Sequence, residues 1–167
     1  RIYAVLRAAG VAFEARIVGD GPLRSELEKL AGHLGIAAHL TFTGHLAQHE
    51  VWNQLAWADV LLHTGVIAPS GDRDGLPHVI PEALAVGVLV ITSPAAATTE
   101  AVTQGVTGFI AAVDAPREWI EALRRLASDD ALAEKLRAAG RAWVEENYDA
   151  HKNTARLVGC FEQAMRT

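Results

Sequence analysis

Asp59-Val60-Leu61-Leu62-His63 and Val88-Leu89-Val90-Ile91-Thr92 are two short, nearly unbroken apolar runs with one loop and one helical segment between them. Each run is too short for a helix, and its continuous apolar character suits a strand covered on both faces, as in a parallel sheet. Residues 64–77 are rich in Gly, Pro and Asp and read as a loop. Residues 78–86 have helical spacing, and Gly87 stops them before the second strand. Strand, loop, helix and strand make a βαβ unit, whose strands are parallel. The loop is long for such a connection, and long loops tend to carry function.

The same alternation extends in both directions. Upstream, Ile2, Val5, Leu6 and Ala9 recur at helical spacing before Gly10, so the chain opens inside a helix. Residues 13–18 form a strand, the Gly19-Asp20-Gly21-Pro22 turn places Pro in the first turn of a helix over residues 23–34, and Gly35 closes it. A strand at 40–43 ends at Gly44-His45-Leu46, and a helix follows over 48–58. Downstream, a short helix within 98–104 leads to a weaker fifth strand at 108–112, and helices near 116–127, 130–147 and 150–165 complete the chain. The pattern predicts an α/β fold: a Rossmann-like doubly wound parallel sheet of about five strands with a helical C-terminal tail. Ligands in such sheets bind beyond the carboxyl ends of the strands, which singles out the loops at 19–22, 44–46, 64–77 and 93–99.

Composition bounds the function. The 167 residues are 50% hydrophobic and 21% charged, which fits one globular domain or a piece of a larger protein. The single cysteine, Cys160, excludes an internal disulfide and a Cys-based zinc site and points to a reducing, cytoplasmic setting. A net charge of −5 with no basic cluster disfavours nucleic acid and a membrane-binding face. No apolar run approaches the roughly 20 residues of a membrane span, and Arg1-Ile2-Tyr3-Ala4-Val5-Leu6 has no signal-peptide plan. There is no initiating Met, so the opening reads as cut.

The richest chemistry lies in Asp72-Arg73-Asp74-Gly75-Leu76-Pro77-His78-Val79-Ile80-Pro81-Glu82. Asp74 precedes a helix and Glu82 lies about one turn inside it. Gly75 lets backbone approach a ligand closely, and the helix N-terminus presents free N–H groups and a positive dipole end to a phosphate. Carboxylates on either side accept hydrogen bonds from sugar or ribose hydroxyls. The pattern thus suits a diphosphate held between two polyols, although the same residues also make an ordinary turn with Glu82 complementing the dipole.

Asp74-Gly75-Leu76-Pro77-His78-Val79-Ile80-Pro81-Glu82-Ala83-Leu84-Ala85-Val86-Gly87 resembles the E-x7-E signature of family 4 (group 1) glycosyltransferases of the GT-B fold. Residues 17–24, 42–46, 58–62, 92–100 and 100–109 resemble further motifs in the family's order, so the likeness covers nearly the whole chain. It implies a retaining, metal-free transfer of a sugar from a nucleotide diphosphate sugar, a substrate rather than a cofactor, to a glycan or lipid acceptor. Glu82 matches the acid on the donor ribose and Asp74 the acid by the donor sugar, usually Glu; both belong to the catalytic site, neither as nucleophile. Gly75, Leu76, Pro77 and His78 would face sugar and phosphates and Gly44, His45 and Leu46 the base, and Gly19 is also counted among the substrate-binding residues. Ala96-Ala97 stands where the family usually has Gly-Gly.

The resemblance also implies what is absent from these residues. The family's donor half begins with a central strand and a loop whose Arg and Lys clamp the diphosphate, and the acceptor-binding half precedes it. A chain starting in the following helix must leave a gap in the sheet, borrow a strand or rearrange. Residues 1–167 are then a partial nucleotide-sugar-binding domain, expected to be inactive alone. The helix over 148–167 would pack toward the absent half, which would also carry any peripheral membrane contact. The full enzyme would work in the cytoplasm or at the inner face of the membrane. A non-catalytic Rossmann-like binding or assembly domain is the alternative.

Other features carry weaker expectations. Asp72-Arg73-Asp74 has the letters of a metal-binding D-x-D, but its surroundings point to a metal-free site. Arg73 reads as a solvated loop charge rather than a phosphate ligand. Of the seven histidines only His78 is placed to matter. Trp52 and Trp57 with Leu55 read as a core stripe rather than a sugar platform, Trp119 and Trp143 as packing residues, and Cys160 as a small hydrophobe.

Overall fold

Strands and helices alternate along the chain as the apolar pattern predicts. The computed structural model describes residues 1–71, 75–95 and 97–165; Asp72, Arg73 and Asp74 lie outside the described residues. The order is α1 (Ile2–Ala8), β1 (Ala15–Val18), α2 (Arg24–His33), β2 (Leu40–Gly44), α3 (Gln48–Trp57), β3 (Val60–His63), α4 (Val79–Val86), β4 (Leu89–Thr92), α5 (Thr98–Ala101), β5 (Phe109–Ile110), α6 (Pro116–Ser128), α7 (Asp130–Asn147) and α8 (Ala150–Ala164). A short 3-10 turn, Ala37–His39, leads into β2. Among the described strands every pairing is parallel.

Two apolar layers cover β4. Leu89 and Ile91 pack with Phe109, Ala111, Trp119 and Leu136 on one side, while Val90, next to Val88, faces Ile80, Leu84 and Val102 on the other. Alternate side chains of a strand point to opposite faces, so four consecutive apolar residues serve both layers. All four residues of β4 are buried, as its sequence predicts. Trp119 is fully buried with its indole N–H donating to the Ala112 carbonyl at 2.8 Å, which bears out its packing role.

The strands fall into two sheets, in keeping with the gap that the sequence reading held open beside a borrowed strand or a rearrangement. β1 and β2 form one sheet and β3, β4 and β5 another, with no strand pairing between them. In the common doubly wound order 3-2-1-4-5-6, these sheets correspond to positions three and two and to positions four, five and six. Among the described residues no strand pairs with both sheets. The consequence shows in burial: β3 is as apolar as β4, yet each of its residues is only half-buried, and Val18 on β1 is exposed.

Local competition shortens two other strands. Phe13 leaves the predicted first strand to stack between Tyr3 and His39, with ring centroids 5.4 and 5.2 Å away. At the fifth strand, Ile110 N–H donates to Gln104 Oε1 at 2.6 Å and Ala112 N–H to Glu118 Oε2 at 2.9 Å. These side chains occupy donors that a further strand would need, which protects the sheet edge.

Helix α7 holds α4 in place. A Cβ on Gly140 would lie 2.7 Å from Leu84 Cδ2, so glycine permits the close approach of the two helices. Arg137 Nε donates to the Gly87 carbonyl at 3.1 Å and Arg141 Nη1 to the Ala85 carbonyl at 2.6 Å. Cations thus meet the C-terminal carbonyls of α4, where the helix dipole favours them. The expected tryptophan stripe on α3 is corrected: Leu55 is buried, but Trp52 and Trp57 are exposed. The Arg16 guanidinium stacks on Trp57 at 3.6 Å from the ring centre, which shields an indole that the core does not take.

Candidate functional site

The predicted residues fall into two groups, both at carboxyl ends of parallel strands. The first follows β3. Gly75 is exposed, Leu76 and Pro77 are half-buried, and Leu76 packs against the core layer beneath α4. His78 is the exposed N-cap of α4 and makes no side-chain cap hydrogen bond. Glu82 is half-buried in the first turn, its backbone N–H donating to the His78 carbonyl at 3.1 Å. Pro81 is tolerated because it lies in that first turn, where intrahelical acceptors are lacking. Asp74, the other predicted carboxylate, lies outside the described residues.

The second group joins the ends of β1 and β2. Gly19 and Gly44 have φ of 118° and 73°, a region that glycine enters without steric cost. The Gly19 N–H donates to the Gly44 carbonyl at 2.9 Å, and the register of the two strands shifts just before it, between Ile17 and Val18. Thus the structure brings these two predicted residues into direct contact. His45 is exposed and Leu46 half-buried beyond them. The turn is fixed on its far side by Glu50, whose carboxylate accepts the Ala47 N–H at 2.8 Å.

Sequence reasoning missed two supports. One is a buried set of hydroxyls after β4: Ser93 Oγ donates to the Gly65 carbonyl at 2.5 Å, and Thr98 Oγ donates toward the Ser93 and Ala95 carbonyls at 2.8 and 2.9 Å. His63 Nδ1 lies 3.1 Å from Thr92 Oγ1 in the same cluster. This ties the start of the loop after β3 to the end of β4, and its signal was the run of Thr and Ser residues flanking Pro94. The other is Arg24, which bridges the two turns of the second group.

Electrostatics at the second group favour an ionised carboxylate. The Asp20 carboxyl is held below its ordinary range, first by the Gly21 N–H at 2.8 Å and then by Arg24 and His45. Among the described residues no group of three or more His, Cys, Asp or Glu is arranged to hold a metal ion. Two shallow clefts, one lined by Gln104, Ile110, Glu118 and Arg125 and the other by Val5, Ala9, Arg117 and Arg124, flank α6 and include none of the site residues.

The family model for "Glycosyl transferases group 1" matches residues 2–143. The chain belongs to this family. Among curated relatives, the GDP-mannose-dependent alpha-(1-6)-phosphatidylinositol monomannoside mannosyltransferase of Mycobacterium tuberculosis is 37% identical over 143 residues, covering 85% of the chain and 37% of that protein. The amylovoran biosynthesis glycosyltransferase AmsK of Erwinia amylovora is 29% identical over 159 residues, covering 95% and 39%. The chain therefore spans less than two fifths of the length of these two relatives. Among solved structures, Anabaena HepE in complex with UDP superposes with a TM-score of 0.82 at 21% identity, over 97% of this chain and 44% of that one. A glycosyltransferase from Rickettsia africae gives 0.84 at 17%, over 99% and 44%. These structural likenesses show the fold of this chain.

Proposed function

We propose that the chain is the donor-binding part of a retaining glycosyltransferase that moves a sugar from a nucleotide diphosphate sugar to a glycan or lipid acceptor. The observation that carries this reading is the placement of half-buried Glu82 in the first turn of α4, behind Gly75-Leu76-Pro77 and an N-terminus without a side-chain cap. Glu82 accepts hydrogen bonds from the ribose hydroxyls, and the amides at the start of α4 take the diphosphate through their N–H groups and the positive helix end. Asp74 orients the donor sugar. Gly44, His45, Leu46 and Gly19 form the wall against the base. Holding the leaving diphosphate in a fixed polar setting lowers the barrier without a resident cofactor or metal.

The names of the relatives support the same class: the mycobacterial protein is GDP-mannose-dependent, and the Anabaena structure contains UDP. Residues 1–167 act as one partial domain, inactive alone, and the acceptor is bound elsewhere in the full protein. Helix α8 packs toward that acceptor-binding part: none of its residues is buried here, and Leu157, Val158, Phe161 and Met165 are exposed. The full enzyme works in the cytoplasm or at the inner face of the membrane, and no helix among the described residues is long and apolar enough to cross one.

Titration calorimetry of the full-length protein with UDP-, GDP- and ADP-sugars tests the reading. One donor class is expected to bind, and Glu82→Ala is expected to weaken it by about tenfold or more, the worth of a hydrogen bond to a charged group. Binding of none of them, or an unchanged affinity in Glu82→Ala, leaves the non-catalytic assembly domain as the better description.

A further inference from the structure

We propose that Arg24 is a positioning residue for the base-binding turns, a latch that fixes Gly19 and Gly44 in the geometry a nucleobase meets. The inference rests on the donor-binding reading above and assigns a specific part of that site. Each guanidinium nitrogen has one acceptor. Nε donates to Glu28 Oε1 at 2.9 Å along α2, Nη1 to Asp20 Oδ2 at 3.2 Å on the turn after β1, and Nη2 to the Phe42 carbonyl at 3.2 Å near the end of β2. Glu28 holds the planar fork from the helix side, so the other two arms reach the two turns in fixed directions.

The glycine pair makes that bridge possible. A Cβ on Gly44 would lie 3.2 Å from Arg24 Nη1 and 3.8 Å from Asp20 Oδ2, so the guanidinium and carboxylate fill the space that a side chain would claim. Asp20 is tied to its own turn by the Gly21 N–H at 2.8 Å. Arg24 therefore connects a rigid acceptor on one turn with a backbone acceptor two residues before Gly44 on the other. The Gly19–Gly44 hydrogen bond links the turns through their backbones, and Thr43 Oγ1 donates to the Ile17 carbonyl at 3.3 Å just before them. The latch lies at the carboxyl ends of two parallel strands, where open α/β sheets bind their ligands. A cation at a random point of the surface would have no reason to converge on both turns.

The latch acts through the base wall and leaves α4 untouched, which sets the test. Dissociation constants are measured on the full-length protein for UDP and GDP and for ribose 5-diphosphate, the same ligand without a base. Arg24→Met is expected to weaken the preferred nucleoside diphosphate about fivefold or more while ribose 5-diphosphate changes less than twofold. Asp20→Asn, which retains size and removes charge, is expected to show the same pattern to a smaller degree; circular dichroism melts confirm that both variants are folded. Unchanged nucleoside diphosphate binding in both variants overturns the proposal, and so does an equal loss for both ligands, which marks a general structural role. Glu82→Gln separates the two levels: if it leaves every constant unchanged, the donor-site reading itself fails, whereas its weakened binding beside intact Arg24→Met binding removes the latch alone.

Discussion

At the residue scale, function-bearing and structure-bearing positions are distinguished by what each side chain touches. Glu82 stands out in the sequence because its spacing from Asp74 and its place in the helix match the family motif. Arg24 does not, because its value comes from acceptors at residues 20, 28 and 42 that only folding brings together. Gly140 was equally hidden within a helix of ordinary composition. Since an added Cβ meets Leu84 at 2.7 Å, Gly140→Val is expected to lower stability by about 1–3 kcal/mol through overpacking, read as a fall in midpoint by urea unfolding. Trp119→Phe removes the donor to the Ala112 carbonyl and part of a fully buried ring. Its expected cost is about 1–3 kcal/mol, with little change in donor affinity because the indole lies in the core layer rather than at the loops.

At the element scale, period and punctuation located nearly every helix and strand, while their ends were set by competing contacts. Phe13 chose an aromatic stack over the first strand, and Gln104 and Glu118 took donors from the fifth. The junction of α7 and α8 is electrostatic. Glu146 accepts from Lys152 Nζ at 2.8 Å and pairs with Arg156, and these two cations hold its carboxyl below the ordinary Glu range. A carboxylate whose folded pKa is depressed contributes fully above its unfolded value, about 4.3, and the contribution fades as pH falls through the lower folded value. The junction is therefore expected to persist from neutral pH into the range where an ordinary Glu becomes protonated and to loosen only under stronger acid, seen as faster amide exchange in the first turn of α8. At the strand level, amide exchange at neutral pH is expected to be slowest in β4, which pairs on both sides, and faster in β1 and β3, each of which pairs with one described strand only. Equal protection of all three strands would contradict the split sheet.

At the scale of the whole molecule, two surfaces stand apart from an otherwise conventional arrangement of sheet and helices. One is the set of strand edges on β1 and β3 with which no described strand pairs, and the other is α8, which contributes no buried residue. Because hydrophobic stabilisation scales with area removed from water, ending the chain after Tyr148 is expected to change the stability of these residues by less than about 1 kcal/mol, measured by thermal or urea unfolding. A large loss would show that α8 stabilises the fold already described. Cys160 lies on this helix and is exposed.

The sequence by itself determined the α/β class, the parallel pairing implied by the repeated strand–helix alternation, the family motif around Glu82 and the loops that gather at the strand ends. Those properties are local: periodicity, turn residues and spacing along the chain carry them. Only the tertiary structure decided that the sheet is split, that Trp52 and Trp57 remain outside the core, and that Arg24, Asp20, Gly19 and Gly44 meet at one point. The physical reason is the same in each case. Whether an apolar residue is covered, or a charged one finds its acceptors, depends on which distant segment arrives beside it, and spacing along the chain does not encode that.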